Sequence, residues 1–343
     1  MQPLVSILIP AYNAAEWIEQ TIHSALAQTW KNIEIIIVDD GSSDNTLTLA
    51  KAFEQDSRIQ VFSQPNQGAT VARNQAFQHS SGEFIQFLDA DDLLDAGKIA
   101  AQMQILLRAE NNCIASGAWA RFYRDPQEAQ FEPEALWQDM QPVDWLIAAW
   151  SDNLMMHPAA WLVPRAIAEA AGPWNEQLSL NDDGEYFCRV ILASQAVKFC
   201  GEAKSYYRSG LLGSLSDQKS DKAYLSGYKA IDLAGQALFA VEDSDRTRQI
   251  IATLFQRFVY ECYPNVPNLR HQATARIKQL GGSSLKATGS PLFEKLAEWL
   301  GWRLAKRIQQ IIYAIGYRRW LVHLRRQKAD LPSTSSISTP AHG

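Results

Sequence analysis

The chain has 343 residues, 47% of them hydrophobic and 20% charged, with a net charge of −5; this is globular composition, with length for roughly two domains. Its four cysteines (Cys113, Cys188, Cys200, Cys262) form no CxxC pair, which argues against a zinc site or a disulfide frame and for reduced thiols in a cytoplasmic setting. The N-terminal residues lack a signal-peptide pattern, and no uncharged apolar run reaches the length of about 18 expected of a membrane span.

The first hundred residues alternate strand and helix signals. Leu4 to Ile9 reads as a strand stopped by Pro10, and Ala14 to Gln28 has helical spacing, with Trp17, Ile18, Ile22, Ala25 and Leu26 on one side. Ile33 to Val38 is a nearly continuous β-branched run, as expected of a strand buried on both faces. Ser43 or Asp44 can cap a helix over Thr46 to Gln55. A short strand, Ile59 to Phe62, is followed by a helix from Gly68 to His79 and a strand from Glu83 to Leu88. This alternation predicts a mostly parallel sheet with helices on its faces.

Beyond about residue 110 the pattern is mixed. Strands are expected at Ile114–Phe122 and at Trp161–Pro164, and helices at Val143–Trp150, Arg165–Ala171 and Asp182–Ser194. Residues 220–280 read as mostly helical. Residues 291–328 form a basic helical segment interrupted near Gly301 and Gly316. The last dozen or so residues, rich in Ser, Thr and Pro, are expected to be disordered.

Two acidic edges stand out. The second strand runs into Asp39-Asp40-Gly41-Ser42-Ser43-Asp44, and the fourth into Asp89-Ala90-Asp91-Asp92. Crowded carboxylates raise one another's pKa, and a divalent cation offsets that cost. Open α/β sheets bind ligands at this edge. The first strand–helix turn, Pro10-Ala11-Tyr12-Asn13-Ala14, has no glycine, so a dinucleotide fingerprint is absent.

The segments Val5–Asn13, Val38–Asp44, Asn66-Gln67-Gly68 with Ala72-Arg73-Asn74, and Phe87–Asp92, in this order, resemble the family 2 inverting glycosyltransferases of GT-A fold. The resemblance is dense over residues 4–95, looser to about 210 and absent after that. It implies an α/β fold: a GT-A type, mostly parallel nucleotide-binding sheet flanked by helices, with a C-terminal helical region. Together with the helical, basic and Ser/Thr/Pro-rich patterns beyond residue 220, it divides the chain into a nucleotide-sugar-binding half (1–110), an acceptor-binding half of the same domain (111–219), a helical region (220–285), a basic amphipathic segment (286–328) and a disordered tail (329–343).

The resemblance also implies roles. Pro10, Ala11 and Tyr12 would line the base pocket, and Asp39 would bond the base, usually uridine. Arg73 would lie near the diphosphate or sugar. Asp89, with Ala90 beside it, would contact ribose or the metal, and Asp91 would coordinate Mn²⁺ or Mg²⁺. The general base would be Asp183 or its neighbour Asp182, where the family has a Glu-Asp pair; the departure leaves both open, with Asp183 preferred. Tyr207, Arg208 and Ser214 fall where family members often have a loop over the diphosphate, an ordinary surface loop being the alternative. His157 reads as a core or acceptor-wall residue without a catalytic role, and Asp92 has none assigned.

The expected activity is therefore metal-dependent, inverting transfer of a sugar from a nucleotide sugar to a saccharide or lipid-linked acceptor in cell-surface glycan synthesis. Two alternatives stay open: an aspartyl-phosphate phosphotransferase, because a strand followed by Asp-x-Asp also suits that chemistry, and an inactive glycosyltransferase-like binding module. From Lys286 onward there are 10 Lys+Arg against 3 Asp+Glu, so residues 1–285 carry −12. Leu300, Leu304, Ile308, Ile311, Ile312 and Ile315 make an apolar stripe flanked by Trp299, Trp302 and Trp320, with Arg303, Lys306 and Arg307 off its centre. That pattern suits a helix lying on an anionic membrane from the cytoplasmic side; packing on the catalytic domain or a second subunit is the alternative. The acidic body argues against nucleic acid.

Overall fold

The computed structural model describes residues 2–109, 112–211 and 219–312. Two apolar seven-residue runs form its central strands, β1 (Val5–Ala11) and β2 (Ile33–Asp39). They pair in parallel with Ile7 opposite Ile35 and Ile9 opposite Ile37. Alternation sends Ile7, Ile9, Ile35 and Ile37 into one core and Leu8, Ile36 and Val38 into a second core on the other face. Burial on both faces explains why these strands carry no polar alternation.

β3 (Ile59–Ser63), β4 (Phe84–Phe87) and β7 (Val163–Pro164) complete a sheet of order β3-β2-β1-β4-β7, in which only β7 is antiparallel. A second sheet has the order β5-β8-β6, from β5 (Leu93–Leu94), β6 (Cys113–Phe122) and β8 (Ala196–Arg208). The two halves of the chain interlock: β7 joins the N-terminal sheet, and β5 pairs with β8. This is the α/β arrangement expected, a mostly parallel sheet flanked by helices with a helical C-terminal region.

The helices are α1 (Ile18–Leu26), α2 (Thr46–Lys51), α3 (Ala69–His79), α4 (Lys98–Leu106), α5 (Pro142–Ser151), α6 (Arg165–Ala171) and α7 (Asp182–Ala193), then α8 (Asp221–Val241), α9 (Asp245–Cys262), α10 (Pro267–Gln279), α11 (Pro291–Leu300) and α12 (Trp302–Ile312). The faces of α8, α9 and α10 that carry Ile231, Leu238, Ile251, Phe255 and Ile277 close over the larger core.

Three of the departures from the sequence expectation have a clear physical reason. β1 continues through Pro10 to Ala11. Pairing with β4 ends at Leu8, so no partner there needs the N–H that proline lacks. The first helix begins at Ile18, not Ala14, because the loop after β2 captures the preceding backbone: Ala14 N–H donates to Thr46 Oγ1 at 2.7 Å and Ala15 N–H to Asp44 Oδ2 at 3.1 Å. The helix expected over Thr46–Gln55 tightens to 3₁₀ geometry from Ala52 onward, and Asp44 accepts from the Thr46 N–H at its start. Ser214, Ile315, Gly316, Trp320 and the tail 329–343 lie outside the described residues.

Candidate active site

The carboxyl ends of β1, β2 and β4 bring three loops together. Asp39 closes β2 and is 1% exposed. Its Oδ2 accepts from Ser63 Oγ at 3.2 Å and Ser42 N–H at 3.3 Å, while Oδ1 is buried without a partner. A buried carboxylate oxygen left unpaired is costly, so it marks a place where a ligand N–H fits. Pro10 and Ala11 are buried beside it, and Tyr12 stands 53% exposed at the mouth. The loop is pinned: Asn13 sits at φ 48° and its Oδ1 accepts from Ser43 N–H at 2.8 Å. Gly41 adopts φ 70°, where a Cβ would lie 2.7 Å from Asn66 N. Asp40, in contrast, is structural; its carboxylate accepts from the N–H groups of Gln67 and Gly68 at 2.9 and 2.8 Å at the start of α3.

Arg73 on α3 lies at the centre of the site. It is buried, and its Nη2 and Nη1 each lie 2.8 Å from a carboxylate oxygen, of Asp89 and Asp182 respectively. Its guanidinium sits 4.4 Å above the Trp174 ring, which stacks on Tyr186 at 4.1 Å. Burial opposes its charge, but Asp89 and Asp182 hold it firmly protonated. Its Nε is buried without a partner. One guanidinium, 109 residues before Asp182 in sequence, thus joins the acidic end of β4 to the start of α7.

The two adjacent acids of α7 differ accordingly. Asp182 pairs with Arg73, whereas among the described residues Asp183 accepts only from the Gly184 N–H, at 2.8 Å. Burial, then the neighbouring Asp182 charge, push Asp183 up to about 6, with Arg73 opposing. Neither acid caps the helix; Asn181 holds the cap position with φ 58°.

The acidic loop after β4 is held from several sides. Thr21 Oγ1 donates to the carbonyls of Ala90 and Asp92 at 2.9 and 3.0 Å. Arg208 Nε donates to the Asp91 carbonyl at 2.8 Å and its backbone N–H to Asp92 Oδ1 at 2.9 Å. Asp92 Oδ2 lies 3.0 Å from His157 Nδ1, and His157 Nε2 lies 2.9 Å from Ser205 Oγ. Burial drives the His157 ring down to about 3, so it is neutral. No other described residue hydrogen-bonds the Asp91 carboxylate. Burial, then Asp92 and Asp89, push it up to about 8.

This arrangement fits a divalent cation. No three His, Cys, Asp or Glu side chains among the described residues converge as an all-protein cage. Mg²⁺-type sites, however, use one or two carboxylates and complete their shell with substrate phosphates and water. Asp91 offers a carboxylate that a cation would stabilise in its ionised form, and Asp89 keeps its second oxygen clear of Arg73.

Pro10, Ala11, Tyr12, Asp39, Arg73, Asp89, Ala90, Asp91, Asp182 and Asp183 therefore gather at one sheet edge. Arg208 departs from the flexible-loop expectation: it ends β8, is 3% exposed and is packed between Trp17 at 4.2 Å and Phe122 at 4.4 Å. Sequence reasoning missed Trp174, Arg208 as a brace, and the Asp92–His157–Ser205 contacts. The strand-like alternation of residues 196–208 was the available signal for Arg208; the contacts of Ser205 had none.

A family model described as glycosyl transferase family 2 matches residues 6–158. Over 110 residues the chain is 46% identical to the Escherichia coli UDP-Glc:alpha-D-GlcNAc-diphosphoundecaprenol beta-1,3-glucosyltransferase WfgD, covering 32% of this chain and 42% of that protein. It is 41% identical over 117 residues to the putative teichuronic acid biosynthesis glycosyltransferase TuaG of Bacillus subtilis, covering 34% of this chain and 46% of that one. An uncharacterized glycosyltransferase of Rickettsia typhi is 31% identical over 201 residues, covering 56% and 60%. The matches thus span less than two thirds of these relatives. The fold resembles that of S. aureus TarS 1–349 in complex with UDP-GlcNAc, with a TM-score of 0.64, 15% identity and 80% of each chain covered. The order of strands and acidic edges, the matched model and these relatives agree: residues 6–158 are similar to glycosyl transferase family 2, and the fold is similar to that of TarS.

Proposed function

We propose that the chain is a metal-dependent, inverting glycosyltransferase that moves a sugar from a UDP-sugar to a saccharide or lipid-linked acceptor in cell-surface polysaccharide synthesis. The observation that carries this reading is the pair of disengaged carboxylates, Asp91 and Asp183, at either end of the Arg73 bridge between Asp89 and Asp182. TarS has been crystallised with UDP-GlcNAc and with UDP, and WfgD is named for UDP-Glc and a diphosphoundecaprenol-linked acceptor, which supports the donor and acceptor classes.

In this reading Asp39 Oδ1 accepts an N–H of the base, Tyr12 covers its face, and Pro10 and Ala11 shape the wall. Asp89 and Ala90 border the ribose and diphosphate, and Arg73 sets the orientation of Asp89. Asp91, with Asp89, would hold Mn²⁺ or Mg²⁺; when bound, the cation offsets the charge that develops on the departing nucleoside diphosphate. Asp183 takes the proton of the acceptor hydroxyl, whose oxygen attacks the anomeric carbon from the face opposite the leaving group, inverting its configuration. Asp182, held by Arg73, is kept away from the acceptor proton while its charge helps to raise the pKa of the base.

The same reading lays the exposed faces of α11 and α12, in the segment 291–328 of which residues 313–328 lie outside the described residues, on an anionic membrane at the cytoplasmic face. It is supported by Leu292 (60% exposed), Trp299 (89%) and Ile311 (60%), which stand beside exposed Lys295, Arg303 and Arg307. No helix among the described residues is long and apolar enough to cross a membrane.

The test is transfer from a panel of UDP-sugars with Mn²⁺. The product should have inverted configuration, and Asp91→Ala and Asp183→Ala should each lose about 10²-fold or more in rate. Near-normal turnover by either variant would sink the role given to that residue.

A further inference from the structure

The acidic loop carries a third carboxylate, Asp92, that a ligand cannot reach: it is 1% exposed. Both its oxygens are engaged inside the protein. Oδ1 accepts the Arg208 backbone N–H at 2.9 Å, and Oδ2 lies 3.0 Å from His157 Nδ1. His157, also 1% exposed, passes the contact on through Nε2 to Ser205 Oγ, 2.9 Å away, and Ser205 is fully buried. The rings of Trp119 and Tyr207 close around the imidazole, with centroids 5.6 and 5.5 Å from it.

These contacts join three distant pieces of chain. Asp92 lies between β4 and β5, His157 precedes a 3₁₀ turn at Pro158–Ala160, and Ser205 lies on β8. β5 pairs with β8 through Leu94 opposite Ser205, so the line of contacts ends on the strand that the loop already borders. Asp91 is therefore flanked by two fastened carboxylates: Asp89, fixed by Arg73, and Asp92, fixed by His157. A carboxyl group buried this deeply needs its hydrogen bonds satisfied inside the protein. The carboxyl group thus ties the loop after β4 to the end of β8 and to His157 at once.

We propose that His157, supported by Ser205, is a positioning residue: through Asp92 it fixes the backbone on which Asp91 presents its carboxylate to the divalent cation. This rests on the metal-binding reading of Asp91. Groups of this outer kind typically alter metal affinity by about 10–100-fold when removed. With Asp92 ionised, Nδ1–H donates to it and Nε2 accepts the Ser205 hydroxyl proton, which fixes the ring as well as the loop.

The experiment is calorimetric titration of UDP into the full chain, with and without Mn²⁺, for the wild type, His157→Phe, His157→Asn and Ser205→Ala, with a melting curve for each. The asparagine amide can still donate to Asp92, whereas phenylalanine fills the space without doing so. In His157→Phe the Mn²⁺ concentration needed for half-maximal enhancement of UDP binding should rise by about 10-fold or more, with metal-free UDP affinity unchanged. His157→Asn should recover most of that loss, and Ser205→Ala should fall between. Mn²⁺ dependence unaltered in folded His157→Phe, or in Ser205→Ala should His157→Phe fail to fold, overturns the proposal. An equal loss of metal-free and metal-assisted binding also overturns it, since that marks general disorder of the site. If the wild type binds UDP identically with and without Mn²⁺, the metal reading of the functional proposal fails, and this inference falls with it.

Discussion

Arg73 distinguishes two adjacent acids that their position in the sequence does not. It binds Asp182 at 2.8 Å and leaves Asp183 with a single backbone donor among the described residues. A general base works best with a pKa near the operating pH. Burial and the Asp182 charge raise Asp183 to about 6. A raised carboxyl pKa leaves the group protonated, and useless as a base, below that value and ionised above it. The rate of transfer, measured as kcat/KM at saturating Mn²⁺, should therefore rise as pH increases through about 6 and then level, and Asp183→Asn should lose that limb together with most of the activity. A profile flat from about pH 5 to 8 would contradict the role. The choice between the two acids was open in the sequence because it depends on a guanidinium contributed 109 residues earlier.

At the scale of elements, α3 and the segment leading into α7 hold the site in register. Asn74 clamps the Trp174 backbone from both sides: Nδ2 donates to the Trp174 carbonyl at 3.0 Å and Oδ1 accepts its N–H at 2.9 Å. Trp174 is 2% exposed and supports the Arg73 guanidinium from below. Asn74→Ala orphans both buried backbone groups, each worth about 1–3 kcal/mol when left unpaired. Urea unfolding should show a correspondingly lower midpoint, and an unchanged midpoint would refute the clamp. The helices and strands that carry these residues were legible where a local pattern announced them. α6 spans the residues expected, and α7 ends one residue short of expectation. β5 was not legible, because two residues, Leu93 and Leu94, leave no periodicity to read. Nor was the partnership of Asp92, His157 and Ser205, since residues 65 and 48 apart share no local signal. The acidic edges themselves were legible because glycine, serine and aspartate cluster after apolar runs.

Over the whole molecule, an acidic body carries a basic C-terminal segment. α11 and α12 meet at Gly301, bury Phe293 and Ala305, and seat Trp302 against Tyr260 and Tyr263 at 4.8 and 5.1 Å. Their other faces expose Trp299, Leu300, Leu304 and Ile311 among basic side chains. Basic residues near an anionic leaflet contribute about 1 kcal/mol each. The protein should float with vesicles containing phosphatidylglycerol and not with purely zwitterionic ones, and Arg303→Glu with Arg307→Glu should abolish flotation; equal flotation with both lipids would contradict an anionic surface as the partner. The central claim, however, concerns the loop after β4. Its most direct test is the affinity for UDP measured by calorimetry with Mn²⁺ and with EDTA, in the wild type and in Asp91→Asn. Mn²⁺ should strengthen wild-type binding by about 10-fold or more and leave Asp91→Asn unmoved; an Asp91→Asn protein that gains as much from Mn²⁺ as the wild type would contradict the account.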